Sequence, residues 1–407
     1  TGDEAIAFET TRRNLLDLYQ SWGYNIVVPP MIEYSDTLVL NSKSIDDKTF
    51  KFLDSASTRM LGVHSDITPQ IARIDSKHAA PNSISRYCYI NAILQTKADD
   101  FYASRSPIQA GAELYGHKGI DADIEVIVLM LSSLELLNIK NITLSLGNTA
   151  IFNALCASVN LPSKEIAELR DIFRRKSLPD LESFLDNTKI KEADKFKSLI
   201  SLDGNEKVLE TANDIFKSIP AIVDAINDLV KLNDFFKDKN LDLMFDLGEV
   251  KAYEYHDGVV FAAYSDKFSK AIAQGGRYDA LSKSFDSNRE ATGFSFDLKF
   301  LIHQQENSIN QSKALNAPNI DNPDFIEFIT LSLELDHSVV NDIGVSLTSP
   351  SGTTISIITP YSAATLNPNN NSFDIGISGF YGEPMTGDWI LTITDYSDDS
   401  VGGTLKS

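Results

Sequence analysis

The chain has few cysteines and no long apolar run. Its 407 residues include two cysteines, Cys88 and Cys156, whose spacing suggests neither a zinc site nor a disulfide framework. This scarcity favours a reducing, cytoplasmic setting for the part of the chain that holds them. No stretch of about 18 apolar residues could span a bilayer, so the sequence predicts no membrane association.

Basic residues are also scarce. The chain carries 36 Lys and Arg against 57 Asp and Glu, a formal net charge of −21. From residue 314 onward, twelve acidic residues accompany a single lysine, Lys406. A surface this acidic repels phosphate backbones, so we expect no nucleic acid partner.

Apolar residues are abundant enough for more than one core. They make up 43% of the chain, and single cores stop growing at about 250 to 300 residues. Strand patterns on either side of amphipathic helices at about 151–239 predict an α+β domain at 1–305, an antiparallel sheet flanked by helices with a helical insertion. A polar segment at 306–323 indicates a linker. Alternating strands between Pro, Gly and Asn turns then predict a small all-β jelly roll or sandwich at 324–407.

One short motif has the layout of a ligand-binding turn. QGGRYDAL places two glycines at the end of a strand and Arg277 at the start of a helix. Such a turn lets the backbone approach a ligand closely, and the arginine guanidinium can form two parallel hydrogen bonds to a carboxylate or phosphate. A tight turn with a structural salt bridge explains the same residues, and the short motif alone favours that interpretation.

Several blocks in order extend this motif into a family resemblance. SRYCYINAILQT, SRSPIQAGAELYGHKGIDADIEVI, YHDGVVFAAYSDKFSKAIAQGGRYDAL and ATGFSFDL resemble the catalytic core of the histidyl-tRNA synthetase superfamily. FKFLDSASTRMLGVHSDITPQIARID and YEYHDGVVFAAY resemble a paralogue within it, the regulatory subunit of ATP phosphoribosyltransferase. The resemblance covers residues 5 to about 302 and implies a class II aminoacyl-tRNA synthetase-like fold.

The same alignment implies that adenylating chemistry has been lost. Class II synthetases grip the α-phosphate with an arginine where this chain has Gln95, and Phe300 takes the place of their second class-defining arginine. Their RGLDYY block reads KAYEYH here, so Lys251 aligns with an arginine of the histidine site and His256 with a tyrosine. Because two charge-assisted contacts are missing, we expect no catalysis from this domain.

A pocket for a small cationic amino acid is implied by the remaining positions. Polar residues fall where the synthetases hold the ammonium and imidazole of histidine, or lie close by in the alignment: Asp66, Thr68, Arg105, Gln109, Glu113, Lys251, Tyr255, His256 and Arg277. The alternative is that these residues are inherited and satisfy one another. His64 stands where the paralogue family usually has arginine, and we interpret it as a structural residue outside the pocket.

The resemblance also implies partners. Paralogues of this kind catalyse nothing themselves and use no cofactor. They assemble with the short catalytic subunit of ATP phosphoribosyltransferase, which joins ATP to phosphoribosyl pyrophosphate, and they take part in feedback inhibition by histidine. We therefore expect a hetero-oligomer with self-association, and histidine as a candidate effector. A divergent histidyl-tRNA synthetase is the alternative.

The acidic tail resembles a second family. VSLTSPSGTTISIITP and FYGEPMTGDWILTITDYSDDSVGGTL resemble the P domain of proprotein convertases over about residues 325–405, without the closing strand usual after GTL, which predicts a truncated sandwich. Asp395, Asp398 and Asp399 form an oxygen-rich cluster of the sort calcium prefers, although a solvated acidic turn is the simpler interpretation. A calcium-binding accessory module of a secreted protease-like protein is thus a third hypothesis.

Overall fold

A computed structural model of the chain describes residues 2–39, 42–80, 83–98, 104–239, 241–250, 256–268, 270–285, 287–302, 329–336, 343–350, 352–358, 372–377, 388–395 and 404–406. The chain divides into two compact units, Thr1–Ile309 and Asn310–Ser407.

The first unit is built on a large mixed sheet. Its strands, in chain order, are β1 (Asn25–Ile26), β2 (Ile32–Tyr34), β3 (Lys51–Leu53), β4 (Met60–Val63), β5 (Ser85–Ala92), β6 (Ile108–Tyr115), β7 (Ile142–Asn148), β8 (Asp203–Gly204), β9 (Asp242–Asp246), β10 (Val259–Ser265), β11 (Ala273–Arg277) and β12 (Ala291–Asp297). Nine of them pair in the order β1-β5-β6-β12-β11-β10-β7-β9-β8, and β2-β4-β3 form a separate small sheet.

Two pairings of the large sheet depart from the predicted antiparallel pattern. β1 lies parallel to β5, and β7 lies parallel to β9. The antiparallel prediction is therefore right for the centre of the sheet and wrong at these two places. In both cases helices intervene between the paired strands and return the chain in the same direction, as parallel pairing requires. The apolar segment YNIVVPPMIEY forms two short strands, β1 and β2, because Pro29 and Pro30 between them have no N–H to donate to a ladder.

The described part of this unit contains the helices α1 (Asp3–Ser21), α2 (Ser35–Val39), α3 (Lys43–Lys48), α4 (Thr68–His78), α5 (Ile120–Leu136), α6 (Thr149–Ser158), α7 (Ser163–Arg175), α8 (Leu178–Thr188), α9 (Ala193–Ile200), α10 (Lys207–Phe216), α11 (Pro220–Phe236) and α12 (Asp279–Lys283). A further helix begins after β12 and is described over 298–302. Helices α4 and α11 carry a proline in the first turn, where its missing N–H costs no hydrogen bond.

The helices between β7 and β9 share one core with the sheet. Buried apolar side chains run without interruption from α1 and the sheet into this helical segment, and they include Tyr19, Val126, Leu146, Phe152, Phe173, Phe216 and Leu229. A second cluster, with Ile67, Ile71, Tyr89, Tyr115 and Tyr278, lies at α4, β5, β6 and α12. This second cluster surrounds the polar residues described below.

The second unit consists of strands: β13 (Ile329–Asp336), β14 (Ile343–Thr348), β15 (Thr354–Ile358), β16 (Ser372–Ile377), β17 (Ile390–Asp395) and β18 (Thr404–Lys406). They form two antiparallel sheets, β16-β13-β18 and β15-β14-β17, in agreement with the predicted all-β tail. In the turn after β14, the Ser349 N–H donates to the carbonyl of Thr353, and Gly352 has a φ of 88°. Asp395 ends β17, whereas Asp398 and Asp399 of the predicted calcium site lie outside the described residues.

Candidate functional site

Four of the predicted pocket residues meet where α4 begins beside β6. Asp66 and Thr68 lie at the start of α4, while Gln109 and Glu113 lie four residues apart on β6 and so share one face of that strand. All four side chains are buried. The structure brings them into one hydrogen-bonded group, which we call the polar cluster. Ligand binding by this cluster stays a prediction.

Gln109 joins the start of α4 to the sheet. Its Nε2 donates to Oδ1 of Asp66 at 2.9 Å and to Oγ of Ser295 at 3.2 Å. Its Oε1 accepts a hydrogen bond from the backbone N–H of Ile67 at 3.0 Å. The amide of Gln109 therefore has protein partners at both ends, as the alternative of mutually satisfied polar residues predicts.

Glu113 lies among three hydroxyl groups. Its Oε1 accepts from Oγ1 of Thr68 at 2.8 Å and from the hydroxyl of Tyr89 at 3.0 Å, and the Tyr278 hydroxyl is bonded to Oε2. The residue is 1% exposed. Burial raises the pKa of Glu113 to about 8, although the three hydroxyls favour the charged form. The carboxyl group is therefore mainly neutral at pH 7.

A glycine on the neighbouring strand makes room for this carboxyl. Gly293 of β12 is paired with Glu113 of β6. A Cβ atom at position 293 would lie 1.6 Å from Oε2 of Glu113 and 2.8 Å from the carbonyl oxygen of Ala112. Gly293, Tyr89 and Tyr278 were not predicted from the sequence to belong to this site, because their contacts join strands that are distant in the chain. Only Tyr278 could have been suspected from the sequence, because it directly follows Arg277 in the QGGRYDAL motif.

Arg277 forms a buried ion pair outside the polar cluster. Its Nε and Nη2 donate to Oδ2 of Asp123 at 3.2 and 2.7 Å, and its Nη1 and Nη2 donate to the carbonyls of His117 and Gly119 at 3.3 and 3.1 Å. Desolvation raises the pKa of Asp123 despite the nearby guanidinium. Arg277 thus ties β11 to α5 as a structural salt bridge, and it could bind a ligand only by breaking this pair.

His256 lies beside the polar cluster. It is buried, and its ring centroid lies 5.9 Å from that of Tyr278 in an edge-on arrangement. A Cβ at Gly276 would lie 2.9 Å from Cδ2 of His256, so the imidazole packs directly on Gly276, which lies within β11 and not in the turn that QGGRYDAL suggested. Lys251 and Tyr255, the other two pocket residues predicted from this block, lie outside the described residues.

Comparison with known proteins places this arrangement in a family. The histidyl-tRNA synthetase family model matches residues 2–301. The ATP phosphoribosyltransferase regulatory subunit of Methylococcus capsulatus is 38% identical over 80% of this chain and 83% of its own length. That of Thioalkalivibrio sulfidiphilus is 40% identical over 72% of this chain and 76% of its own. The chain belongs to the family of ATP phosphoribosyltransferase regulatory subunits.

Solved structures of this family and of synthetases share the fold. An ATP phosphoribosyltransferase regulatory subunit/histidyl-tRNA synthetase from Bacillus halodurans superposes with a TM-score of 0.64 at 24% identity, covering 76% of this chain and 87% of that one. Histidyl-tRNA synthetase from Nostoc gives a TM-score of 0.62 at 15% identity, covering 77% and 74% of the two chains. The class II synthetase-like fold of the first unit is thereby confirmed. The proprotein convertase P-domain model matches residues 326–407.

Gln95 and Phe300 stand where class II synthetases have their two class-defining arginines, and we call these the clamp positions. The first clamp position of this regulatory subunit, Gln95, holds a neutral amide. Gln95 donates from Nε2 to the carbonyl oxygen of Ser65 at 3.2 Å. The backbone carbonyl of Gln95 accepts from Nε of Arg105 at 3.1 Å, and the Arg105 guanidinium lies 5.2 Å from the ring centroid of Phe50. Arg105 is exposed, and the contacts described for its side chain are with these two residues rather than with the polar cluster.

The second clamp position holds an aromatic ring. Phe300 packs against Phe268 with ring centroids 5.8 Å apart, and the Nζ of Lys270 lies 4.4 Å from the Phe300 centroid. A phenyl ring offers a phosphate no hydrogen-bond donor. Neither clamp position therefore supplies the cation that adenylation needs.

Metal centres and membrane-spanning helices are absent from the part of the chain that the structure describes. There, no group of three or more His, Cys, Asp or Glu side chains is placed to hold a metal ion. The same residues include no helix of the length and apolar character needed to cross a membrane. Both cysteines are free and buried.

Proposed function

We propose that this chain is a non-catalytic regulatory subunit that assembles with the short catalytic subunit of ATP phosphoribosyltransferase and supports the first step of histidine biosynthesis. The observation that carries the proposal is the replacement of both phosphate clamps on an otherwise intact synthetase fold. Gln95 is bonded to backbone, and Phe300 is packed on Phe268. The names of the curated relatives, at 38% and 40% identity, support the same function. In keeping with two free cysteines, we propose that the subunit acts in the cytoplasm.

Reconstitution tests this function directly. The purified full chain is mixed with a short-form catalytic subunit, and formation of phosphoribosyl-ATP is measured together with co-elution on a sizing column. We expect the mixture to be active where the catalytic subunit alone is weakly active, and the two chains to elute together. No stimulation and no association would refute the proposal. Histidine-dependent pyrophosphate exchange by the chain alone would instead support a divergent synthetase.

We further propose that the polar cluster is the histidine-sensing site of this subunit. Glu113 is mainly neutral in the unliganded protein because burial raises its pKa to about 8. An ammonium group placed near this carboxyl would favour the carboxylate, so histidine binding at pH 7 would release protons. The Glu113 carboxylate would then accept hydrogen bonds from the ligand ammonium as well as from the hydroxyls of Thr68 and Tyr89.

Calorimetry distinguishes this site from others. Titration with histidine in buffers of different protonation enthalpy should show net proton release by the wild type and none by Glu113→Gln. In the reconstituted complex, Glu113→Gln should retain stimulation of the catalytic subunit while losing sensitivity to histidine. If the complex is active and both proteins are inhibited equally, the effector site lies elsewhere and the regulatory function itself still stands.

A further inference from the structure

Gln95 fastens the segment between β5 and β6 to the residues just before α4. Its Nε2 donates to the carbonyl oxygen of Ser65 at 3.2 Å, and the N–H of the preceding Leu94 donates to the carbonyl of His64 at 3.1 Å. Two consecutive carbonyls before Asp66 are therefore bonded to this segment. Because a carbonyl oxygen can only accept, the nitrogen end of the Gln95 amide must face Ser65.

Ser65 is held on its other side as well. Its hydroxyl lies 3.0 Å from Oγ1 of Thr49, and that oxygen donates its own hydrogen to the carbonyl of Ile45 at 2.7 Å. The Ser65 hydroxyl is therefore the donor in its contact with Thr49. The residue is 4% exposed. Ser65 thus lies buried between the end of α3 and Gln95, with its side chain bonded to one and its backbone to the other.

The Ser65 carbonyl belongs to the peptide unit that leads into the polar cluster. A peptide unit is planar, so a hydrogen bond to its oxygen also restricts the direction of the Asp66 N–H and Cα at its other end. Oδ1 of Asp66 accepts from the Thr68 N–H at 3.2 Å and from Nε2 of Gln109 at 2.9 Å. The orientation of this one peptide unit therefore decides where the Asp66 carboxylate meets Gln109.

We propose that Gln95 is a positioning residue of the polar cluster, whose neutral amide holds the Ser65–Asp66 peptide in the orientation that brings Asp66 to Gln109. The functional consequence rests on the proposed histidine-sensing role: removal of the Gln95 donor lowers the affinity for histidine. The side chain at the first clamp position, where synthetases grip a phosphate, here orients a peptide of its own protein.

The Gln95 side chain is not needed to close the hairpin itself. The backbone N–H of Gln95 donates to the Arg105 carbonyl at 2.8 Å, and this bond is independent of the side chain. The neighbouring Thr96 is bonded in another direction: its N–H donates to the Lys48 carbonyl at 2.9 Å and its hydroxyl to the Asp47 carbonyl. Side-chain changes at 95 and 96 therefore test the contact with α4 and the contact with α3 separately.

Three variants separate the hydrogen bond from the presence of a side chain. Gln95→Met keeps the length of the side chain and removes the donor. Gln95→Arg introduces the synthetase residue and keeps a donor that can reach a carbonyl. Thr96→Val is the matched control, because it removes a side-chain donor from the same segment that bonds α3 and not Ser65.

Hydrogen exchange of the full chain measures the positioning without any ligand. The N–H groups of Ile67 and Thr68 donate to side chains of the polar cluster, since no preceding helical turn offers them a carbonyl. Relative to amides of α5, we expect their exchange in NMR to be about 3- to 10-fold faster in Gln95→Met and unchanged in Gln95→Arg and Thr96→Val. Unchanged exchange in Gln95→Met, or equal acceleration in Thr96→Val, would overturn the proposal.

Calorimetric titration of the same proteins with histidine measures the functional consequence. Gln95→Met should bind histidine about 3- to 10-fold more weakly than the wild type, and Gln95→Arg should restore the affinity. Equal affinities of the wild type and Gln95→Met would overturn the proposal. If the wild type binds no histidine while the exchange rates differ as expected, histidine sensing by the cluster is refuted and the positioning role of Gln95 is supported.

Discussion

Replacing Arg277 by methionine separates a structural role from a ligand-binding role. The guanidinium donates two hydrogen bonds to Asp123 and two to backbone carbonyls, and the Asp123 side chain is 1% exposed. Arg277→Met would leave that carboxylate buried without its cation. Removing one partner of a buried pair costs about 3–5 kcal/mol, so we expect the free energy of unfolding to fall by about that much.

Urea unfolding followed by circular dichroism at 222 nm measures this loss. Helices α1 to α12 all belong to the first unit, so the signal at 222 nm reports the unfolding of that unit. The double variant Arg277→Met/Asp123→Leu should lose less stability than the two single variants together, because it leaves no unpaired buried charge.

A surface arginine provides the matched control. Arg175 is paired with Asp171 and Asp180, and its side chain is 48% exposed, so Arg175→Met should leave the free energy of unfolding nearly unchanged. A decrease of less than about 1 kcal/mol in the free energy of unfolding for Arg277→Met, or strict additivity in the double variant, would refute a structural role for Arg277. Arg277 would then again be a candidate residue for binding a ligand.

Three further predictions concern the polar cluster and the thiols. Gly293→Ala should lower the free energy of unfolding by about 1–3 kcal/mol in the same assay, because its Cβ would collide with Oε2 of Glu113; an unchanged urea midpoint would refute this. Glu113 should make the wild type less stable as pH rises from about 4.5 to about 8, since the folded chain keeps a proton that the unfolded chain has released, and Glu113→Gln should abolish this part of the pH dependence of urea unfolding. Burial raises the pKa of Cys88 and Cys156 to about 12, so Ellman's reagent at pH 8 should react with them only after unfolding; rapid labelling of the folded chain would contradict the structure.

The sequence predicts the elements of the first unit well because their patterns are local. Amphipathic helices were expected at about 151–239, and α6 to α11 lie between Thr149 and Phe236. The parallel pairings of β1 and β9 were missed, since strand direction depends on how intervening helices return the chain.

The candidate site was only partly predictable. The family resemblance pointed to Thr68 and Glu113, and their side chains do meet at 2.8 Å. The partner of Arg277 is Asp123, which lies 154 residues earlier, and no local pattern could connect them. The role of Gly293 was hidden for the same reason, because it depends on the space beside a side chain of another strand.

The pairing of β6 with β12 has a consequence for the time at which the polar cluster forms. Glu113 and Gly293 face each other although most of the first unit, including all the helices between β7 and β9, is made between them. At about 5–20 residues per second, a ribosome needs roughly 10 to 40 seconds to travel from one residue to the other. Until β12 emerges, Glu113 has an open sheet edge beside it and water can reach its carboxyl group. The neutral, buried state of that group is therefore acquired late, and it marks a chain that has completed its central sheet.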